Sequence, residues 1–450
     1  MEYTIYKTVK GGEQPLRKSA TGSFEKDTET ENNIVNIVPE AQYQTIEGIG
    51  GAFTEAGSTT LDRLSQENRE KVLRAYFDPE NGNGYSFCRT HIGSCDFSLG
   101  NYSYVEDGDA ELKTFCIDRD KKSLIPMIRD AKKYGSFRLM ASPWSPPAFM
   151  KTNNDMNHGG KLKPEYFEAW SEYYIKYLDA YRKEGIEIDA LSVQNEAKAV
   201  QTWDSCIYTA EEEKNFVRDY LGEKLKKEGK ELYFWDHNRE RVCDRAKVMF
   251  GDDKARSLAD GIAVHWYSGD HFDAMRIFHD LYPDKKIIMS ECCREYSRGE
   301  MDAWEIGESY AHEMIGCFRN YCNTFCDWNM LLNIQGGPNH VGNFCDAPIM
   351  ADTENNSVEF HSSYYYIGHF SRFVRPGAVR LGTTQWTDKV ETVAFRNPDG
   401  TIVAVLMNRG DENVTCHLRI YDDIVHDIGT EAHSIMTVLI RESFSPDSMK

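Results

Sequence analysis

Eight short apolar runs of β-forming residues, each followed by a longer amphipathic stretch, constrain this chain more than any other feature. They are Ile46–Phe53, Tyr85–His91, Phe137–Ser142, Ile188–Asn195, Leu232–Asp236, Gly261–Tyr267, Lys286–Glu291 and Thr324–Leu332. Parallel strands buried on both faces read as near-continuous apolar runs of this kind. Between them, Ser65–Phe77, Leu124–Tyr134, Pro164–Lys183, Thr209–Glu228, Asp273–Leu281 and Met301–Tyr321 carry apolar residues at helical spacing, and Ser65 is a ready N-cap. A fifth helix is expected within Arg241–Leu258 and a last one at Ser362–Phe373. Strand alternating with helix eight times predicts an α/β fold of the (β/α)8 barrel type. An open doubly wound sheet shares the alternation, but Gly48-Ile-Gly-Gly-Ala-Phe53 is not the Gly-x-Gly-x-x-Gly turn that such a sheet uses after its first strand.

The two ends of the chain have a different texture. Residues 1–44 hold β-type segments (Tyr3–Val9, Asn33–Val38) around a polar stretch from Ser23 to Asn33. After Pro376 the helical period stops. Val379–Leu381, Val390–Arg396, Thr401–Asn408, Val414–Ile420 and Ser434–Ile440 are separated by turn residues such as Asn397-Pro-Asp-Gly400. Neither piece is long enough for a sandwich alone. Residues 1–44 and 377–450 are therefore expected to build one β-sandwich accompanying a catalytic barrel of residues 45–376.

The formal net charge of −20 repels polyphosphate, so nucleic acid and anionic membrane surfaces are poor partners. Aromatic residues make up 12% of the chain, a supply of apolar faces on which sugar rings can rest. Twelve cysteines are present without a Cys-x-x-Cys pair, which reads as reduced thiols and not as a disulfide framework. Met1 to Gly12 has no apolar signal core, and no run approaches the ~20 apolar residues of a membrane span. A cytoplasmic location is the expectation.

Active sites of (β/α)8 barrels lie at the carboxyl ends of the strands. Those ends supply Glu55, Arg89, Trp144, Asn195 with Glu196, Asp236 with His237, His265 with Trp266 and Tyr267, Glu291, and Trp328 with Asn329. Singly, Glu196 or Glu291 could be a carboxylate answering a helix dipole. As a pair on two strands, among Arg, Tyr, Trp and Asn, they are the equipment of a glycoside hydrolase. His265 reads as a supporting residue and not as a metal ligand. His312-Glu313 lacks the second His of a zinc helix, and no Gly-x-Ser-x-Gly elbow occurs, so neither metallohydrolase nor serine esterase chemistry is indicated. No cofactor is implied.

The motifs also carry a resemblance. Gly48-Ile-Gly-Gly-Ala-Phe-Thr-Glu55, Arg89 through Ser94-Cys-Asp-Phe-Ser98, Ala141-Ser-Pro-Trp-Ser-Pro-Pro147, Gln194-Asn-Glu196, His265-Trp-Tyr267, Ser290-Glu291, Asp327-Trp-Asn329 and Gly342-Asn-Phe344 follow one another as in glycoside hydrolase family 30. Within that family the chain resembles the glucosylceramidase branch, closest to its bacterial intracellular members. The resemblance implies a barrel with a β-sandwich from both chain ends, and retaining hydrolysis of β-glucosides. It implies Glu196 as acid/base and Glu291 as nucleophile. Asn195 would hold the sugar 2-hydroxyl, Tyr267 and Arg89 would orient Glu291, and Asp96, Trp144, Trp328 and Asn343 would line the sugar subsite. Many relatives have Pro after the acid/base, where this chain has Ala197. For this mechanism Glu291 is expected to be ionised and Glu196 to have a raised pKa. The implied partner is a small β-glucoside or a glycolipid. A β-1,6-glucanase, β-xylosidase or β-fucosidase would use the same scaffold. A protein that binds sugar or glycolipid without turnover is the alternative of a different class.

Overall fold

The computed structural model describes residues 1–12, 14–296 and 302–441. The chain divides into two compact units. One comprises Met1–Gly48, Met301–Asn323 and Phe360–Lys450, and the other Ile49–Glu300 and Thr324–Glu359. Met301, at the start of one expected helix, and 442–450, at the end of the expected sandwich segment, lie outside the described residues. No helix among the described residues is long and apolar enough to cross a membrane.

The second unit is built on a closed ring of eight strands in chain order: β1 (Gly48–Phe53), β2 (Phe87–Ile92), β3 (Arg138–Pro143), β4 (Ala190–Ser192), β5 (Glu231–Asn238), β6 (Gly261–His265), β7 (Lys286–Glu291) and β8 (Thr324–Asp327). Neighbouring strands pair in parallel. The expected (β/α)8 barrel is thus present, one strand for each apolar run. The eighth run stops at Asp327; Leu331–Asn333 belongs instead to a separate three-stranded sheet with Ile349–Asp352 and Ser357–Phe360. A helix at Glu55–Asp62, directly after β1, escapes the periodicity. Gly57, Thr59 and Thr60 are poor helix formers, and the Thr54 side chain caps the helix by accepting the Gly57 N–H. The expected helix at 241–258 is two, Val242–Met249 and Asp253–Leu258, the second capped by the Asp252 side chain.

Strand side chains alternate with a period of two, and this period layers the barrel interior. Phe87, Met140, Ala190, Tyr233, Ala263, Ile288 and Cys326, one from each of β2 to β8, form a buried apolar floor. On β1, Gly50 stands level with Phe87, and a Cβ there would come within 2.0 Å of the Phe87 carbonyl oxygen. Two residues further along the strands the character inverts to Arg89, Ser142, Ser192, His265 and Ser290, all fully buried. The polar layer is a direct product of the alternation, and it carries the site.

The first unit holds one ten-stranded sheet that draws on both chain ends. Glu2–Val9 lies between Arg17–Ser23 and Ser434–Arg441, and Ile34–Ile46 lies between Ala378–Gln385 and Val414–Ile420. The sheet encloses a core that includes Ile5, Val35, Ile37, Leu406, Leu418 and Val438. Strands at Arg17–Ser23 and Asp423–Thr430 were not evident from the sequence; the first is nearly all exposed and polar. His369, on the helix Ser362–Ser371, ties the two ends together. Its Nε2 lies 2.8 Å from Thr8 Oγ1 and its Nδ1 2.9 Å from Thr437 Oγ1. Thr437 donates its hydroxyl proton to the His369 carbonyl, so Nδ1 is the donor to Thr437 and Nε2 the acceptor from Thr8.

Burial holds this imidazole neutral, with its pKa lowered to about 3. Between pH 6.5 and about 3 the unfolded chain binds a proton that the folded chain does not, so stability falls as pH falls, by about 1.4 kcal/mol per pH unit for one group. His369→Gln is expected to flatten that acid limb in chemical denaturation measured from pH 7 to 4. Parallel limbs in the variant and the parent would contradict this.

Candidate active site

Arg89 is the centre of the polar layer. Its guanidinium is fully buried and donates Nε to Ser142 Oγ (3.1 Å), Nη1 to Glu291 Oε2 (2.6 Å), and Nη2 to both Asn195 Oδ1 (2.8 Å) and Asp236 Oδ2 (2.8 Å). The rings of Trp144 and Trp328 lie 4.9 and 5.3 Å from its carbon centre. Trp144 and Trp328 stack on each other at 4.8 Å. One cation on β2 therefore fixes side chains from strands β3, β5 and β7 together with the loops beyond β3, β4 and β8.

Asp236 is the second anchor. Oδ2 accepts from Arg89, Ser142 and Ser192, and Oδ1 from Ser290, with His265 Nε2 at 3.0 Å. Burial opposes its charge, but Arg89, His265 and Ser192 outweigh it and hold the carboxyl far below the ordinary range. The residue reaches this position through a bulge. Ala263 pairs with Trp235 and Val264 with His237, so Asp236 is the extra residue on β5, and both Trp235 (φ 72°) and Asp236 (φ 45°) have left-handed backbone. A second bulge lets β7 present Ser290 and Glu291 against the single step from Val264 to His265.

Above this layer is a cavity of about 220 Å³. Asp96, Trp144, Asn195, Glu196, Tyr267, Glu291, Trp328 and Asn343 line it, while Arg89 and His265 sit beneath. Tyr267 donates its hydroxyl to Glu291 Oε1 at 3.0 Å, and Asn343 Nδ2 donates to Asp96 Oδ2 at 3.0 Å. Asp96 Oδ1 and Trp328 Nε1 are buried and have no hydrogen-bond partner in the protein. One is an acceptor and the other a donor, which suits sugar hydroxyls. Glu55, also at a strand end, is elsewhere: it pairs with Arg119 at 2.8 Å and accepts the Leu99 N–H. The cavity also holds Gln201, Trp203, Asn238, Cys293 and Glu295, which no sequence pattern marks.

His265 Nδ1 lies 3.4 Å from Glu196 Oε1 and 3.9 Å from Glu291 Oε1, which places those two oxygens within about 7 Å of each other. Glu196 itself has left-handed backbone (φ 49°), and its N–H is held by the Asp236 carbonyl at 2.7 Å. The loop after it is pinned where the Tyr208 N–H meets the Ala197 carbonyl at 2.8 Å.

The electrostatics correct one expectation. Burial pushes Glu196 up, but the imidazoles of His237 (3.3 Å) and His265 outweigh it and hold this carboxyl below the usual range. Burial raises Glu291, and the charge of Glu196 adds to it, against the pull of His265 and Arg89. The direction at Glu196 is opposite to the one expected. The cause is the pair of histidines, of which His237 directly follows the β5 bulge. His265 in turn is pushed up to about 9: burial opposes the rise, and the charges of Glu291, Asp236 and Glu196 overcome it. Burial and the Glu291 charge lift Asp96 well above the carboxylate range.

Breaking a buried charge network by removing one partner costs about 3–5 kcal/mol, because the remaining charges are left unpaired. Arg89→Met, which strands Asp236 and Glu291, is expected to lose that much stability in denaturant titration of the full chain. A loss under about 1 kcal/mol would show that Arg89 does not hold the layer together.

Comparison with known proteins agrees with this architecture. Residues 46–374 match the Glycosyl hydrolase family 30 TIM-barrel domain, and 377–438 match the Glycosyl hydrolase family 30 beta sandwich domain. The chain is similar to lysosomal acid glucosylceramidase of Mus musculus, with 32% identity over 92% of this chain and 84% of that protein. Among solved structures it is similar to SrfJ from Salmonella typhimurium (39% identity, TM-score 0.95, 98% of this chain and 100% of the other). It is also similar to an endo-β1,6-glucanase (26% identity, TM-score 0.89, 98% and 100%). On its matched domains, its relatives and its barrel, the chain belongs to glycoside hydrolase family 30 and is a glycosidase.

Proposed function

We propose that the chain is a retaining, exo-acting β-glucosidase of the glucosylceramidase type, with Glu291 as nucleophile and Glu196 as acid/base. The observation that carries this reading is the fixing of Glu291. Arg89 and Tyr267 each hold one of its oxygens, which leaves the carboxylate aimed at a cavity sized for one pyranose. Glu291 attacks the anomeric carbon, the bond to the leaving oxygen breaks, and a glycosyl-enzyme forms. The proton for the leaving group is shared at the contact of His265 Nδ1 with Glu196 Oε1. Passing it to Glu196 leaves His265 neutral, with Nε2–H still on Asp236. Glu196 then protonates the departing oxygen and, as a carboxylate, takes a proton from the water that releases the sugar. Asn195, oriented by Arg89, binds the 2-hydroxyl; Asp96, Asn343 and the two stacked tryptophans hold the rest of the ring.

An amphiphilic leaving group is supported by the rim. Leu99, Val200, Tyr296 and Phe344 are large, exposed and apolar, and each lies within three residues of one lining the cavity. A glucan would meet such a rim less favourably, because apolar surface gains only by leaving water. The endo-β1,6-glucanase relative keeps a second reading open, in which the same site cleaves a 1,6-linked glucan.

A panel of aryl β-glycosides, with product stereochemistry followed by NMR, tests the core of the proposal. The β-glucoside is expected to be the best substrate and the first-formed product to be the β-anomer. Glu291→Gln should be inactive, and azide should rescue Glu291→Gly to give the inverted α-azide. Full turnover by Glu291→Gln would refute the assignment. Glu196→Gln is expected to lose on the order of 10²–10⁴-fold in kcat/KM on glucosides with poor leaving groups, and far less on activated aryl ones. Hydrolysis of glucosylceramide in mixed micelles, set against a 1,6-linked β-glucan, separates the two substrate readings.

A further inference from the structure

Glu196 meets more nitrogen than an acid/base requires. Its Oε1 lies 3.3 Å from His237 Nδ1 and 3.4 Å from His265 Nδ1, and the three atoms all lie within 4.8 Å of one another. A four-coordinate zinc ion holds N and O ligands at about 2.0–2.2 Å, which sets ligand-to-ligand edges of roughly 3.3–3.6 Å. Both measured edges match that span. Two further features are those of a metal-binding imidazole set. Asp236 Oδ1 holds His265 Nε2 at 3.0 Å, the carboxylate–histidine arrangement that turns the other ring nitrogen toward an ion. His237 Nδ1 is buried and makes no well-aligned hydrogen bond in the protein, although it faces the same carboxylate oxygen.

We propose that Glu196, His237 and His265 form a three-ligand site for a divalent transition-metal ion, and that an ion bound there blocks the acid/base. Two imidazoles and one carboxylate select zinc, copper or nickel over magnesium or calcium. The ion takes the place of the proton between His265 Nδ1 and Glu196 Oε1, and that proton leaves to solvent. Glu196 Oε1 then carries a metal bond where it would otherwise protonate a leaving group. The fourth position faces the cavity, so the ion and the substrate compete for one space. The ion is an inhibitor here and has no part in the reaction. The blocking rests on the assignment of Glu196 above; the binding does not.

Cobalt(II) titration of the full chain tests the binding. One equivalent is expected to give visible bands of a four-coordinate site, without the near-ultraviolet charge transfer that thiolate ligands produce. Zinc should displace it. His237→Asn and the near-isosteric Glu196→Gln are each expected to weaken binding on the order of 100-fold, since even the partners that orient a ligand are worth 10–100-fold. Thiolate charge transfer, no binding up to millimolar cobalt, or affinity unchanged in both variants would overturn the site. Micromolar zinc should then suppress turnover of a glucoside with a poor leaving group by the parent enzyme, a chelator should restore it, and His237→Asn should keep a larger fraction of its own activity. Full turnover by the zinc-loaded parent would refute the blocking. An absence of turnover without metal would count against the proposed activity while the cobalt result still decides the site.

Discussion

The organisation of the barrel depends on a positive charge that has no water. Arg89 is fully buried, and an isolated guanidinium in that position would be prohibitively costly. Four of its N–H groups find acceptors, two of them carboxylates, and its faces lie against two indoles. Each acceptor is in turn fixed. Asp236 gathers three serines and an imidazole, and Glu291 gathers a tyrosine. Such a network is favourable only when every member is satisfied. Its rigidity is what can hold Glu291 and Asn195 to a fraction of an ångström, the precision that transition-state stabilisation requires.

The barrel was legible in the sequence because buried parallel strands cannot hide their composition. Strand ends named half of the residues lining the cavity, since an apolar run that stops at Asn195-Glu196 or Ser290-Glu291 announces a change from core to rim. What escaped was local. Ser142, Ser192 and Ser290 stand one to three residues before Trp144, Asn195 and Glu291, and a serine in a strand has no pattern of its own. Gln201 and Trp203 lie on a loop whose path no periodicity fixes.

The charge states could not be read from the sequence for a different reason. The sign of the Glu196 shift depends on two imidazoles, one of which, His237, directly follows the extra residue in β5. A single-residue bulge reverses which side chain points inward, and nothing in Leu232–Asp236 marks it. Three site residues, Trp235, Asp236 and Glu196, are left with left-handed backbone. Such conformations cost on the order of 1–3 kcal/mol each and persist where surrounding contacts over-determine them. The dense hydrogen bonding around Asp236 is the local reason this chain tolerates them.

The sheet of the first unit carries a consequence for biogenesis. Glu2 is paired with Arg441, so the strand Glu2–Val9 lies against Ser434–Arg441, far along the chain. During synthesis the strand Glu2–Val9 has one flank satisfied by Arg17–Ser23, while the other presents open backbone until Ser434–Arg441 has emerged. An unpaired strand edge is a template for other chains, and contacts of such long sequence separation form late. In the barrel the strands follow one another in chain order, and only the closure of β8 on β1 waits for Thr324–Asp327. A nascent product, or one clipped before Ser434, is therefore left with the open flank of Glu2–Val9.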